Sequence, residues 1–279
     1  LVPDDSENLS VKVAELIQRL PPLDLSVDLL LRRAAEGRAK PSDVAAIVAT
    51  DPGLCANLLW LANASCMRES HGKSVETIHD ALDIVAVETL AELVGTAYAV
   101  ETVRGHGAVP HAWDAYIAHS RDIAAACMGL AEIRGLTTDE CDRAALAGLT
   151  HDVGRVVMMA AAGDIPISLL GTPPEAMRTV LEDERRAYGL DHCRIGETLF
   201  HKWGFSNALR QGILRHHTPL LREDFSEPGG LIFVAHFVNM SDFTGEILAK
   251  ALSSDLLARL SVTVADIERT RVLCAARRN

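Results

Sequence analysis

The sequence predicts an all-α protein built as two helical subdomains. Three observations carry that expectation. Hydrophobic residues make up 48% of the 279 and aromatics only 4%, so a core has to come from Leu, Ala, Val and Ile, and Ala and Leu are strong helix formers. Apolar residues recur at helical spacing along the chain, and no stretch shows the alternation of a half-buried strand. Prolines fall between the periodic segments or at their first position rather than inside them.

Each element follows from this pattern. "ENLSVKVAELIQRL" puts Val11, Leu16, Ile17 and Leu20 near one face, and the two prolines at 21–22 stop the helix. A second helix is expected over 25–36, ending at Gly37. "KPSDVAAIVATDPGLCANLLWLANAS" reads as two short helices, with Asp51 as N-cap and Pro52 at the first helical position of the second. Trp60 within it is expected in the core. Ser74 is a cap for a helix over 75–84, and a longer helix should cover 86–103. "GHGAVPHAW", 105–113, is the expected subdomain boundary, giving units of 1–105 and 106–279. Helices over 112–134 and 138–161 come next, the second running through "GLTHDVGRVV". Further helices are expected over 174–187, 191–203 and 206–217, then a polar loop over 218–230, then two or three helices over 231–276. Trp203 followed by Gly204 reads as a helix C-cap with an aromatic anchor.

Composition bounds the function. A net charge of −11 argues against a broad nucleic-acid surface, which needs clustered Lys and Arg. The longest apolar run, "VVMMAAA", is far too short to span a membrane. The opening "LVPDDSENLS" lacks the features of a signal peptide. It also lacks an initiator Met, which leaves room for a preceding domain. Cys55, Cys66, Cys127, Cys141, Cys193 and Cys274 form no C-x-x-C pair, so they read as free, mostly buried thiols in a reducing cytoplasm.

Chemistry concentrates beyond residue 105, where nine of the eleven histidines lie. Four elements could converge there: His119, the adjacent pair His151 and Asp152, His192, and the adjacent pair His216 and His217. Imidazoles and a carboxylate suit Fe, Mn, Zn or Ni. A metal among them would generate hydroxide near neutral pH and could clamp a phosphate. The same groups also read as a hydrogen-bonded network that fixes helix packing, since buried polar groups must be paired either way. Arg155, one turn after Asp152, is either a phosphate contact or the partner of a nearby carboxylate. "EDERRAYG", 182–189, reads as a solvated helix face from which Glu184 could reach the site.

Taken in order, these stretches resemble a known family. "LIQRLPPLDLSVDLLL", "SDVAAIVATDPGLCANLLWLANAS" and "SVETIHDALDIVAVETLAELV" are similar to the opening of the HDOD family, the HD-related output domain of bacterial signalling proteins. "WDAYIAHSRDIA", "AALAGLTHDVGRVVM", "YGLDHCRIGETLFHKWGF", "GILRHHTP" and "VAHFVNM" resemble its HD-like half. Val85-Ala86 stands where many members have Leu-Gly, which puts that local turn in question. The resemblance implies a regulatory output module that works by binding a signalling protein partner or a nucleotide ligand. It further implies a response-regulator or two-component setting and no required catalysis. In catalytic HD relatives, metal ligands fall at positions matching His119, His151, Asp152, His192, His216 and His217, and a phosphate-contacting lysine falls where Arg155 stands. Those relatives close the set with an aspartate, where this chain has Asn239. Asp242, three residues on and near the same helix face, is the expected substitute. The Gly-Tyr-Pro motif of relatives that cut cyclic di-GMP is not found in "TPLLREDFSEPGG". The alternative reading is a metal-dependent phosphohydrolase of nucleotides or cyclic dinucleotides. A third is a degenerate site that binds metal or nucleotide only as a signal.

Overall fold

A computed structural model describes residues 5–49, 52–64, 75–106, 113–162, 174–220, 225–240 and 245–278. Every regular element among them is a helix. The first six are α1 (Asp5–Arg19), α2 (Leu25–Ala35), α3 (Pro41–Val48), α4 (Pro52–Ala64), α5 (Ile78–Ile84) and α6 (Val87–Arg104). Then come α7 (Trp113–Ile133), α8 (Thr138–Thr150), α9 (Val153–Ala162), α10 (Pro174–Tyr188), α11 (His192–Lys202) and α12 (Asn207–Arg215). The chain ends with α13 (Glu227–Val238), α14 (Gly245–Ala251), α15 (Ser254–Leu260) and α16 (Val264–Arg278).

Most boundaries fall where the sequence signals put them, and the exceptions have local causes. Pro52 opens α4 as expected; Asp51, Ser74 and the side chain of Trp60 lie outside the described residues. In α1 the buried residue of the first turns is Val13, 2% exposed, whereas Val11 is 50% exposed. α5 is capped by Thr77, whose hydroxyl accepts from the Asp80 N–H at 3.1 Å, so it starts at 78 rather than 75. Between α5 and α6, Val85 and Ala86 both have negative φ, so the turn needs no glycine. α13 begins inside the expected loop, because Ser226 caps it by accepting from the Gly229 N–H at 3.2 Å. The tail holds α14, α15 and α16 after it, more elements than the pattern suggested.

The largest departure is functional. The single helix expected over 138–161 is two helices, and His151 and Asp152 form the turn between them. α8 starts on a capping box, with the Thr137 N–H donating to Glu140 at 2.8 Å. It ends at His151, and the Arg155 N–H then picks up the Asp152 carbonyl at 2.8 Å to start α9. Gly154 explains the break. A Cβ there would lie 1.9 Å from the His192 carbonyl oxygen and 2.8 Å from the Gly196 nitrogen. α9 and α11 therefore cross backbone to backbone, which only glycine permits.

The helices before and after residue 105 share one buried cluster. Val13, Leu20, Val27 and Leu30 belong to it together with Ile123, Leu146, Phe200 and Ile232. α1 packs on α9 and α10, and α6 packs on α8 and α9. The end of α1 is tied to α11: Lys202 Nζ donates to the carbonyls of Ile17 and Leu20 at 2.6 and 2.7 Å. Trp203, the C-cap of α11, donates from Nε1 to the Pro21 carbonyl at 3.1 Å, and Gly204 follows with φ +74°. Among the described residues, no helix is long and apolar enough to cross a membrane. Cys55, Cys127 and Cys193 are free thiols.

Two stability predictions follow from the packing. Gly154→Ala should force α9 and α11 apart and lower unfolding free energy by about 1–3 kcal/mol or more, measured by urea denaturation. Asp142, on α8, is fully buried and neither carboxylate oxygen has a hydrogen-bond partner. Burial, then Asp139, push its pKa from 3.8 up to about 7, against the pull of Arg143. Between those values the unfolded chain is ionised while the folded one keeps its proton, so this group lowers stability as pH rises through that window. The stability of Asp142→Asn relative to wild type should therefore improve between pH 4 and pH 8, at about 1.4 kcal/mol per tenfold change in proton affinity. A difference that does not change with pH would refute it.

Candidate metal centre

The break between α8 and α9 points His151 and Asp152 into the space enclosed by α7, α11, α12 and α13. His119 comes from α7. Asp191 caps α11 by accepting from the Arg194 N–H at 2.9 Å, which makes His192 its first residue. Ser206 caps α12 in the same way, and that helix ends at His216 and His217. His236 reaches in from α13. His151, His192 and His216 are fully buried, and Asp152 is 2% exposed.

Asp152 is the hub. Its Oδ1 lies 3.2 Å from His192 Nε2 and 3.6 Å from His216 Nε2. Its Oδ2 lies 3.5 Å from His151 Nε2 and 3.7 Å from His119 Nε2. Arg155 Nε donates to the same oxygen at 3.0 Å. The other end of Arg155 pairs with Glu184 Oε1 at 3.0 Å, and Glu184 Oε2 accepts from both His192 Nδ1 at 2.6 Å and His192 N–H at 3.0 Å. Glu184 is thus buried, while its neighbours Glu182, Asp183, Arg185 and Arg186 face solvent as expected.

The imidazoles share one orientation. Nδ1 of His151 bonds the Gly148 carbonyl at 2.7 Å, that of His216 the Ile213 carbonyl at 2.6 Å, and that of His236 the Ile232 carbonyl at 2.8 Å. A carbonyl accepts only from an N–H, so each leaves an Nε2 lone pair directed inward. Burial pushes the pKa of His119, His151, His216 and His217 below the ordinary value, and that of His236 to about 3. Burial alone would raise Asp152, but Arg155 and the histidines outweigh it and hold the carboxyl well below its usual range. The centre is therefore a carboxylate ringed by imidazoles, of which His119, His151, His216, His217 and His236 are held toward the neutral form.

Such a ring fits a divalent metal. Among the described residues, Nε2 of His119, His151 and His217 and Oδ1 of Asp152 are buried without a hydrogen-bond partner. Two donor sets have all their ligand atoms within 4.8 Å: His119, His151 and His236, and His151, Asp152 and His216. The Nδ1 contacts are the outer partners that fix metal-bound histidines, with Glu184 in that role for His192. Residues 20–219 match the HDOD domain. The chain belongs to the HDOD family.

Solved structures agree on the fold of this HDOD protein. A candidate phosphohydrolase from Shewanella amazonensis SB2B is 23% identical, with 94% of each chain covered and a TM-score of 0.64. A candidate signal transduction protein from Marinobacter aquaeolei VT8 is 17% identical, covering 98% of this chain and 64% of that one, with a TM-score of 0.59. A candidate metal-dependent phosphohydrolase, again from S. amazonensis, is 19% identical over 96% and 99%, with a TM-score of 0.58. Among curated proteins, none matches the sequence.

The six expected ligand positions converge; for the closing position the sequence offers Asn239 or Asp242, and only Asn239 is among the described residues. Asn239 Nδ2 donates to the carbonyls of Asp122 and Ala235, at 3.2 and 3.4 Å, and so ties α13 to α7. The group that α13 turns to the centre is His236, one turn earlier; the i, i+3 spacing in "HFVN" carried that signal. Asp242 lies outside the described residues. Arg155 is 1% exposed and held between two carboxylates, so a phosphate would have to break both ion pairs to reach it. Removing Arg155 leaves those two buried carboxylates without their shared cation. Arg155→Ala should cost about 3–5 kcal/mol of stability in ligand-free protein, measured by denaturant unfolding. Unchanged stability would return Arg155 to the phosphate-contact role.

Proposed function

We propose that this HDOD chain is a bacterial signalling output module, cytoplasmic and responsive to an upstream receiver or sensor, that acts by binding a partner protein or a nucleotide rather than by turnover. Its divalent metal, of the Fe, Mn, Zn or Ni class, is a built-in part of the fold. One observation carries this reading. Among the described residues Asp152, His151, His192 and His216 are buried, His119 is 15% exposed, and the nearest cation already holds Asp152 and Glu184. A hydrolase of this kind needs a metal position open to water and a cation free for the substrate phosphate. The net charge of −11 favours a protein or small-ligand partner over nucleic acid.

The second reading, a metal-dependent phosphohydrolase, is favoured by the retained donor set. A metal held by His119, His151, Asp152 and His236 would polarise a phosphoryl oxygen and acidify a bound water. The chain's own contribution would be to hold Asp152 ionised and the imidazoles neutral. The two readings separate by experiment. Protein purified without chelators or a nickel column should carry near-stoichiometric metal that His151→Ala loses. With added Mn or Fe, it should hydrolyse cyclic dinucleotides, nucleotides and a generic phosphodiester no faster than His151→Ala does. Turnover that disappears in both His151→Ala and Asp152→Asn would establish the hydrolase instead.

A further inference from the structure

Beside the His/Asp sets lies a donor group of different chemistry. His192, Cys193, His216 and His217 each offer a ligand atom, and the four atoms lie within 4.8 Å of one another. Cys193 Sγ is 3.4 Å from His192 Nε2 and 3.8 to 3.9 Å from the His216 ring nitrogens. His192 Nε2 and His216 Nε2 are 3.2 Å apart. Donors on a tetrahedral zinc, with bonds of about 2.0 Å to nitrogen and 2.3 Å to sulfur, stand about 3.3 Å (N to N) and 3.6 Å (N to S) apart. Buried His217 Nε2, with no hydrogen-bond partner, completes the group.

We infer that Cys193 is a thiolate ligand, with His192, His216 and His217, of a closed metal site that selects zinc and serves structure rather than hydrolysis. The thiol gives up its proton to solvent as the metal–sulfur bond forms. Four protein donors fill a tetrahedral shell and leave no position for water. Sulfur also biases the pocket toward zinc and away from Mn or Mg, which prefer oxygen donors. The site joins the start of α11 to the end of α12, and Glu184 extends it to α10 through His192 Nδ1. This inference rests on the proposed metal-holding role of the centre and names the residue that would make one pocket soft and closed.

Cobalt(II) added to the metal-stripped protein tests it. The wild type should develop tetrahedral d–d bands together with an intense near-ultraviolet thiolate-to-cobalt band. Cys193→Ser should lose the near-ultraviolet band and release zinc to a competing chelator at least tenfold more readily, while Cys127→Ser keeps both properties. Zinc should raise the melting temperature of the wild type more than that of Cys193→Ser. Should Cys193→Ser fail to fold, the wild-type spectrum decides alone. Cobalt d–d bands with no thiolate band would overturn the role of Cys193 and leave the metal reading standing. No cobalt uptake at all would overturn both.

Discussion

The buried carboxylate of Asp152 is the constraint around which the second half of this fold is arranged. An ionised carboxylate removed from water is strongly unfavourable unless opposite charge and hydrogen bonds surround it. Arg155 supplies the charge at 3.0 Å, and the turn between α8 and α9 sets that contact by placing the two residues three apart. Arg155 is then itself buried and needs a second anion, which Glu184 provides from α10. Glu184 in turn fixes the start of α11 through His192. One buried charge thus dictates the position of three further helices. Gly154 makes the arrangement sterically feasible, because α11 passes where any side chain would stand.

The same chain of contacts connects the centre to the start of the protein. α1 lies on α9 and α10, the helices that carry Arg155 and Glu184. Its C-terminal carbonyls are held by Lys202 and the following Pro21 carbonyl by Trp203, both at the far end of the helix that begins with His192. A shift of α1 would therefore press on the helices of both Arg155 and Glu184 in the ion-pair relay. Packed interfaces of this kind move between discrete arrangements rather than deforming continuously. That gives an output module a physical route from one end of the chain to a buried centre.

The helices were legible because their apolar faces repeat at 3.6 residues and their caps are ordinary ones, such as Thr137 with Glu140 or Asp191 before His192. The break at His151–Asp152 was not, because "ALAGLTHDVGRVVMM" keeps helical spacing through it. Its cause is tertiary: the His192 backbone, forty residues away, occupies the space beside Gly154. Ser226 and Pro228 do signal the start of α13, but they stand among glycines that read equally well as loop. In the site, the adjacent pairs His151–Asp152 and His216–His217 announced themselves by composition. His236 stands alone on an apolar helix, and only its i, i+3 spacing from Asn239 signals it. Cys193 had no spacing signal at all, because a cysteine next to a histidine matches no common ligand pattern.

The neutral imidazoles constrain what the centre can be. A buried acceptor without a partner costs about 1–3 kcal/mol. Three such nitrogens, on His119, His151 and His217, surround a partly unsatisfied Asp152. Their summed cost is comparable to the whole stability of a typical domain, about 5–15 kcal/mol. A purely structural polar network would have paired them, as it paired every Nδ1 of His151, His216 and His236 with a carbonyl. Pairing at Nδ1 together with open Nε2 atoms such as those of His151, His119 and His217 is what a cation requires of histidine ligands. Losing catalysis in an HD-type fold would thus not release these residues from constraint, since the metal would still balance the charge and the lone pairs at its centre.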